Sequence, residues 1–154
     1  MEEFDYYMFI DYSENLLGYN ILEYSKIKEL LPKISKIKHY KDIKQKREYI
    51  RSIRKIFEKN KVLDYFLKAK IREIMQTPEI FSDIAEFLRC NSNCLVFISV
   101  DNKQYSNFER FVKVIDGAST KIVKESELKK DSKEYKISLV LDNWLNLERL
   151  KHEK

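Results

Sequence analysis

A chain of 154 residues is near the modal size of one domain, and 44% apolar with 13% aromatic residues is enough to build a sizeable core, which excludes a disordered chain. No uninterrupted apolar stretch approaches ~20 residues, so no membrane span is expected, and the acidic opening Met1-Glu2-Glu3-Phe4-Asp5 does not read as a signal peptide. Thirty Lys+Arg against twenty-five Asp+Glu leave a net charge of +5 and a pI near 9.0, compatible with a nucleic-acid partner without demonstrating one.

Asp5 to Asp11 is a short, nearly continuous apolar run ending in an acid, the pattern of a strand buried in a parallel sheet. Leu17, Ile21, Tyr24, Ile27 and Leu31 then recur at helical spacing up to Pro32. Gly18 weakens that helix, and the alternative makes Tyr19–Tyr24 the second strand of a hairpin. Ile34 to Tyr40 alternates loosely, as a second strand does. A helix is expected from Asp42, with Ile43, Ile50, Ile53 and Phe57 on one face. Val62 to Leu67 is a candidate third strand, or part of a helix with Ile71 and Ile74.

Thr77-Pro78 reads as a helix start, with Thr as N-cap and Pro at the first helical position. Ile80, Phe81, Ile84, Phe87 and Leu88 form its buried stripe, and Asn91-Ser92-Asn93 breaks it. Cys90 and Cys94 flank that break as a single C-x3-C. With only His39 and His152 to add, they suggest neither a disulfide framework nor a zinc site, so both thiols are expected reduced in the cytoplasm. Leu95 to Val100, followed by Asp101, is the clearest strand in the chain. Ser106-Asn107-Phe108-Glu109 has capping-box spacing before a helix carried by Phe108, Phe111, Val112 and Ile115, which Gly117 ends. Lys121 to Lys124 is a short last strand. Ser132 to Lys151 is a final helix with Ile137, Val140, Leu141, Trp144 and Leu147 on one side. The alternation predicts one domain over 1–154, a parallel sheet with helices on both faces.

In open α/β sheets, sites lie beyond the carboxyl ends of the strands, where Asp11 and Asp101 are both expected. On neighbouring strands their carboxylates converge. Asp83, with Glu79 one turn before it, flanks the stripe of the helix that leads into the Asp101 strand. Carboxylates sharing one crevice make an oxygen-rich site for Mg²⁺ or Mn²⁺, which can activate water and stabilise a phosphodiester transition state. Each acid taken alone also suits helix capping or solvation.

Phe9-Ile10-Asp11-Tyr12-Ser13-Glu14-Asn15-Leu16 resembles the opening F-I-D-x-x-N-L of NYN domains of the LabA-like group, with one extra residue. Leu95 to Tyr105 resembles that family's L-V-S-G-D-x-D-F segment, and Leu141-Asp142-Asn143-Trp144-Leu145-Asn146-Leu147-Glu148 its closing helix. His39-Tyr40-Lys41-Asp42 falls where the family often has a Tyr. The resemblance implies a PIN-like, Rossmann-like three-layer α/β/α fold with a central, mainly parallel sheet of about five strands. It also implies metal-dependent ribonuclease activity in active members. Asp11, Asp83 and Asp101 carry over as catalytic and metal-holding residues, and Asn15 as a substrate or geometry residue. Val100 stands where the family has Gly. Lys103 replaces a second acid and could contact a phosphate directly, and Thr77 stands near the first helical acid.

Lys26, Lys28, Lys33, Lys36 and Lys38 with Tyr40 make a basic, Tyr-bearing stretch, extended by Lys44, Lys46, Arg47, Arg51, Arg54 and Lys55. Lys neutralising phosphates and Tyr stacking on bases is how single strands are held, so Lys38, Tyr40 and Lys103 are candidate RNA contacts. A solvated helix face reads the same way. Three readings follow: an NYN domain that binds or cleaves RNA with Mg²⁺; an inactive NYN-like interaction module, compatible with a homodimer; and a small ribonuclease-H-like nuclease using Asp11, Asp101 and Asp142. The third requires a hairpin directly after Asp11.

Overall fold

Tyr6–Ser13 forms strand β1 in the computed structural model, which describes residues 4–91, 93–99, 102–116, 121–124 and 127–152. Alternate side chains of β1 enter two cores, Tyr7 and Phe9 on one face and Met8 and Ile10 on the other. The chain then turns through Glu14 and Asn15, with Glu14 at φ 55°, and returns as β2, Leu16–Glu23, antiparallel to β1. The hairpin is therefore what forms, in place of a helix through Leu17, Ile21 and Tyr24. Seven of the eight β2 residues are buried, because β2 lies inside the sheet with helices over both faces. A strand apolar on both faces shows no alternation, so its apolar residues mimic helical spacing.

Between β2 and the next strand the chain folds over one face as 3-10 turns, helix α1 (Ile27–Leu30) and helix α2 (Lys46–Asn60). Neither strand expected here forms. Ile34 and Ile37 are buried three residues apart, joined by an Ile37 N–H to Ile34 C=O bond of 3.0 Å. Val62 and Phe66 are buried four apart across a 3-10 turn. A period of three to four is that of a turn and not of a strand. Helix α2 begins at Lys46 rather than Asp42, buries Ile50 and Ile53, and ends at Lys61 in the left-handed region, φ 49°.

Strand β3, Lys68–Glu73, pairs antiparallel with β2 at the sheet edge. Its polar sequence carries no strand signal; pairing with β2 makes it a strand. Helix α3 (Thr77–Cys90) crosses to β4 (Cys94–Ser99), which lies parallel to β1 on the side away from β2. Thr77 is the first helical residue and not a side-chain cap, and its hydroxyl donates to the Ile74 carbonyl. Helix α4 (Asn102–Asp116) starts one turn before Ser106 and leads to β5 (Lys121–Lys124), parallel to β4. Helix α5 (Lys133–His152) closes the fold, capped by Ser132, whose Oγ accepts the Tyr135 N–H at 3.2 Å.

The strand order is β3-β2-β1-β4-β5, a mixed open sheet. Five strands and helices on both faces match the expected three-layer α/β arrangement. The sheet is not mainly parallel, since two of its four pairings are antiparallel. One face packs Tyr7, Phe9, Leu22 and Phe97 against Ile53, Val140 and Leu145 from α2 and α5. The other packs Ile10, Tyr19 and Val96 against Ile80, Ile84 and Phe108 from α3 and α4. Among the described residues no helix is long and apolar enough to cross a membrane.

Asn20 is one of the polar residues buried in this core. It is 0% exposed in β2, opposite Phe9 and Ala69, and neither amide atom has a hydrogen-bond partner among the described residues. Unsatisfied buried groups cost about 1–3 kcal/mol. Asn20→Leu keeps the γ-branched shape and removes both groups, at the cost of a larger side chain, so urea unfolding is expected to show a gain of up to about 1–3 kcal/mol.

Candidate functional site

Asp11 is the sixth residue of β1, so the hairpin carries the strand two residues past it. It lies opposite Gly18 of β2 and Ser99 of β4. By alternation it shares the face of Tyr7 and Phe9, beneath α5. It is 8% exposed, and its Oδ1 accepts the Tyr12 N–H at 2.7 Å. A cavity of about 10 Å³ lies against it, bordered by Ser99, Ser138 and Leu141. Gly18 allows α5 this close. A Cβ there would meet the Leu141 side chain at 3.2 Å, the Ile71 side chain at 3.0 Å and the Lys70 carbonyl at 3.2 Å.

Helix α5 presents Ser138, Asp142 and Asn146, spaced four apart on one stripe, and all three are buried. Each is tied down. The Ser138 hydroxyl donates to the Tyr135 carbonyl. Asp142 Oδ2 accepts the Tyr40 N–H at 2.9 Å and lies 3.7 Å from His39 Nδ1. Asn146 donates to the Asp142 carbonyl at 2.8 Å and accepts from Ser13 Oγ at 3.3 Å and from Arg149 at 2.9 Å. Beside the stripe, Asn143 donates to the carbonyls of Lys38 and Leu139, each at 2.8 Å. The stripe thus joins the end of β1 to the 38–40 segment. The Tyr40 ring receives cations from two directions, Lys46 at 5.4 Å and Arg149 at 5.8 Å from its centroid.

The described residues do not bring the expected acids together. Asp101 lies outside the described residues, two positions after Ser99, which pairs with Asp11. Asp83 lies across the sheet from Asp11. It accepts the Tyr19 hydroxyl at 2.8 Å and pairs with Lys70, which also reaches Glu79 at 3.0 Å. Tyr19 points to the face opposite Asp11, so Asp83 does not join Asp11 in one crevice. Among the described residues no three His, Cys, Asp or Glu side chains gather as a metal site. Asn15 is exposed in the hairpin turn, where its carbonyl accepts the Ile74 N–H at 2.8 Å. Lys38 is exposed and held by its backbone to the Tyr49 hydroxyl at 2.7 and 2.9 Å; burial pushes the Tyr49 phenol up to about 12. Lys103 is on the first turn of α4, its side chain outside the described residues. Sequence reading missed Ser138, Asn143 and Asn146. Their signal is three polar side chains among the apolar positions of one helix.

The Asp83 network sets an acid limit on stability. Burial pushes the Asp83 carboxyl up, but the Lys70 ammonium and the Tyr19 hydroxyl outweigh it and hold the carboxyl below its usual range. Lys70 is raised by its bonds to Asp83 and Glu79. The Asp83 contribution is present above an unfolded carboxylate value of about 3.9 and is lost as pH falls through the lower folded value. The Lys70 contribution is full below about 10.4 and is lost as pH rises through its folded value. Asp83→Asn is expected to lower stability at pH 7 and flatten its fall between about pH 4 and 2, checked by urea unfolding across that range.

No protein-family model and no curated protein sequence matches the chain.

Proposed function

We propose that the chain is a ribonuclease-H-like, metal-dependent nuclease acting at the Asp11 end of β1 and β4. The observation that carries the reading is the β1–β2 hairpin directly after Asp11, continued by β3, with β4 parallel to β1 on the other side. A hairpin at this point is what separates the ribonuclease-H-like reading from the PIN-like NYN reading. The position of Asp83 favours it too, because the NYN set needs Asp83 beside Asp11. The ribonuclease-H-like set takes Asp142 from α5, which covers the Asp11 face.

The donors fit a hard cation. Asp11, Asp101 and Asp142 offer carboxylate oxygens, and the polar side chains bordering the cavity beside Asp11 are Ser99 and Ser138, with no sulfur or imidazole. Asp11, Asp101 and Asp142 would hold Mg²⁺ or Mn²⁺. When bound, the ion supplies an activated water and stabilises charge on the phosphodiester. The Tyr12 and Tyr40 N–H groups keep the Asp11 and Asp142 carboxylates fixed in direction, so little reorganisation is needed. The test is incubation of labelled single-stranded RNA and RNA–DNA hybrid with Mg²⁺, Mn²⁺ or EDTA. Metal-dependent cleavage is expected. No cleavage, together with melting indifferent to both metals, overturns the reading in favour of an inactive module.

A further inference from the structure

On the face of α2 turned away from the Asp83 network, a groove runs between that helix and the 32–44 segment. One part, about 800 Å³, and a second, about 390 Å³, share Ser35, Lys36 and Ser52 and so form a continuous trough. Its lining residues follow α2 from its cap Gln45 to Asn60, roughly 22 Å. Lys33, Lys36, Lys38, Lys44, Lys55 and Lys59 line it, against two carboxylates, Asp42 and Glu48.

These lysines differ from the two paired cations of the β3 edge. At the β3 edge, Lys70 and Arg72 are neutralised by Glu79 and Asp83. Among the described residues none of the six groove lysines has an ion pair. Six ammonium groups against two carboxylates leave the concave trough with an excess of positive charge. A solvated helix face has no reason for basic residues from a separate segment to line its opposite wall.

We propose that this groove holds a single-stranded nucleic acid by its phosphates. Two walls reach one backbone from both sides, whereas the phosphates of a duplex lie on convex ridges. The aromatic ring in the trough, Tyr49, has its hydroxyl engaged with Lys38, so it locks the wall and recognition is by charge, independent of sequence. The wall is continuous with the Asp11 region: Lys38 is held by Asn143 and Tyr40 by Asp142, both from α5. The inference deepens the nuclease reading by naming where its substrate strand runs, and binding is measurable without cleavage.

The test is fluorescence anisotropy with a 20-nucleotide uridine RNA at several salt concentrations. The exposed groove positions are changed together, Lys36→Gln, Lys55→Gln and Lys59→Gln. A charge-matched control carries Lys68→Gln, Lys121→Gln and Lys130→Gln, exposed positions away from the groove. The groove variant is expected to bind at least about tenfold more weakly, with a log–log salt slope shallower by about 2, from ~0.7 per lost phosphate contact. The control is expected to stay within about twofold of wild type. Equal weakening by both variants, or no binding by wild type at low salt, overturns the groove. So does a duplex binding as tightly as the single strand, or displacement by polyglutamate as effective as by unlabelled RNA, which would assign the trough to an acidic protein. Groove-dependent binding without metal-dependent cleavage removes the nuclease reading and leaves the groove standing.

Discussion

Asp11→Asn is expected to abolish metal-dependent cleavage, by about 10³-fold or more, if the carboxylate contributes ~4 kcal/mol of transition-state stabilisation. The substitution keeps the shape of the side chain and an oxygen able to accept the Tyr12 N–H. The melting temperature should therefore move little in the absence of metal. Asp142→Asn tests the arrangement further. Its amide oxygen can still accept the Tyr40 N–H, so the 38–40 segment stays anchored while the charge is lost. Loss of cleavage in both variants supports the ribonuclease-H-like set. Cleavage retained in Asp142→Asn but lost in Asp11→Asn makes Asp142 an anchor for Tyr40 and returns weight to the PIN-like resemblance. Wild-type cleavage surviving Asp11→Asn would exclude this site altogether.

Gly18→Val is expected to be strongly damaging to the β-sheet. The first added carbon already meets a backbone carbonyl at 3.2 Å and two core side chains at 3.0 and 3.2 Å. Side chains could shift; the Lys70 carbonyl belongs to the paired β3 strand and cannot move without breaking the ladder. Overpacking of a filled core costs about 1–3 kcal/mol, and Val adds two further methyl groups, so a loss at the top of that range is expected. At about 2–4 °C per kcal/mol for a chain of this size, the melting temperature should fall by roughly 6–12 °C. Displacing Leu141 also lifts α5 from Asp11, so cleavage should fall even where the variant is folded. Gly18→Ala should show the same effects in smaller measure. A Gly18→Val protein as stable as wild type would mean that α5 does not pack where Leu141 meets β2.

Much of the fold was legible because its elements are locally periodic. The apolar run before Asp11, the run from Leu95, and the stripes of α3 and α5 carry their own pattern, and each forms where the pattern puts it. The misread segments lack a local signal. β2 is buried on both faces and loses the alternation that marks a strand. β3, Lys-Ala-Lys-Ile-Arg-Glu, is strand only because β2 offers it hydrogen bonds, and Ile34 to Tyr40 is too loosely patterned to separate a turn from a strand. The candidate site divides in the same way. Asp11 stood out as an acid closing an apolar run, but Asp83 looked equivalent until the sheet placed it across the core beside Tyr19 and Lys70.

The sequence by itself determined an α/β chain with two clear parallel strands, amphipathic helices to cover them, an acid at the end of the first, and a concentration of lysine between residues 26 and 59. Hydrophobic periodicity and charge are local properties, and they survive without knowledge of partners. Only the tertiary structure decided that β1 turns straight back into a hairpin, that Asp142 and not Asp83 lies over the Asp11 face, and that six lysines from two segments line one trough. Those outcomes depend on pairing register and on which face a helix covers. A one-residue shift in register moves a side chain to the other side of the sheet, so the location of a carboxylate follows from long-range packing and not from its neighbours in the chain.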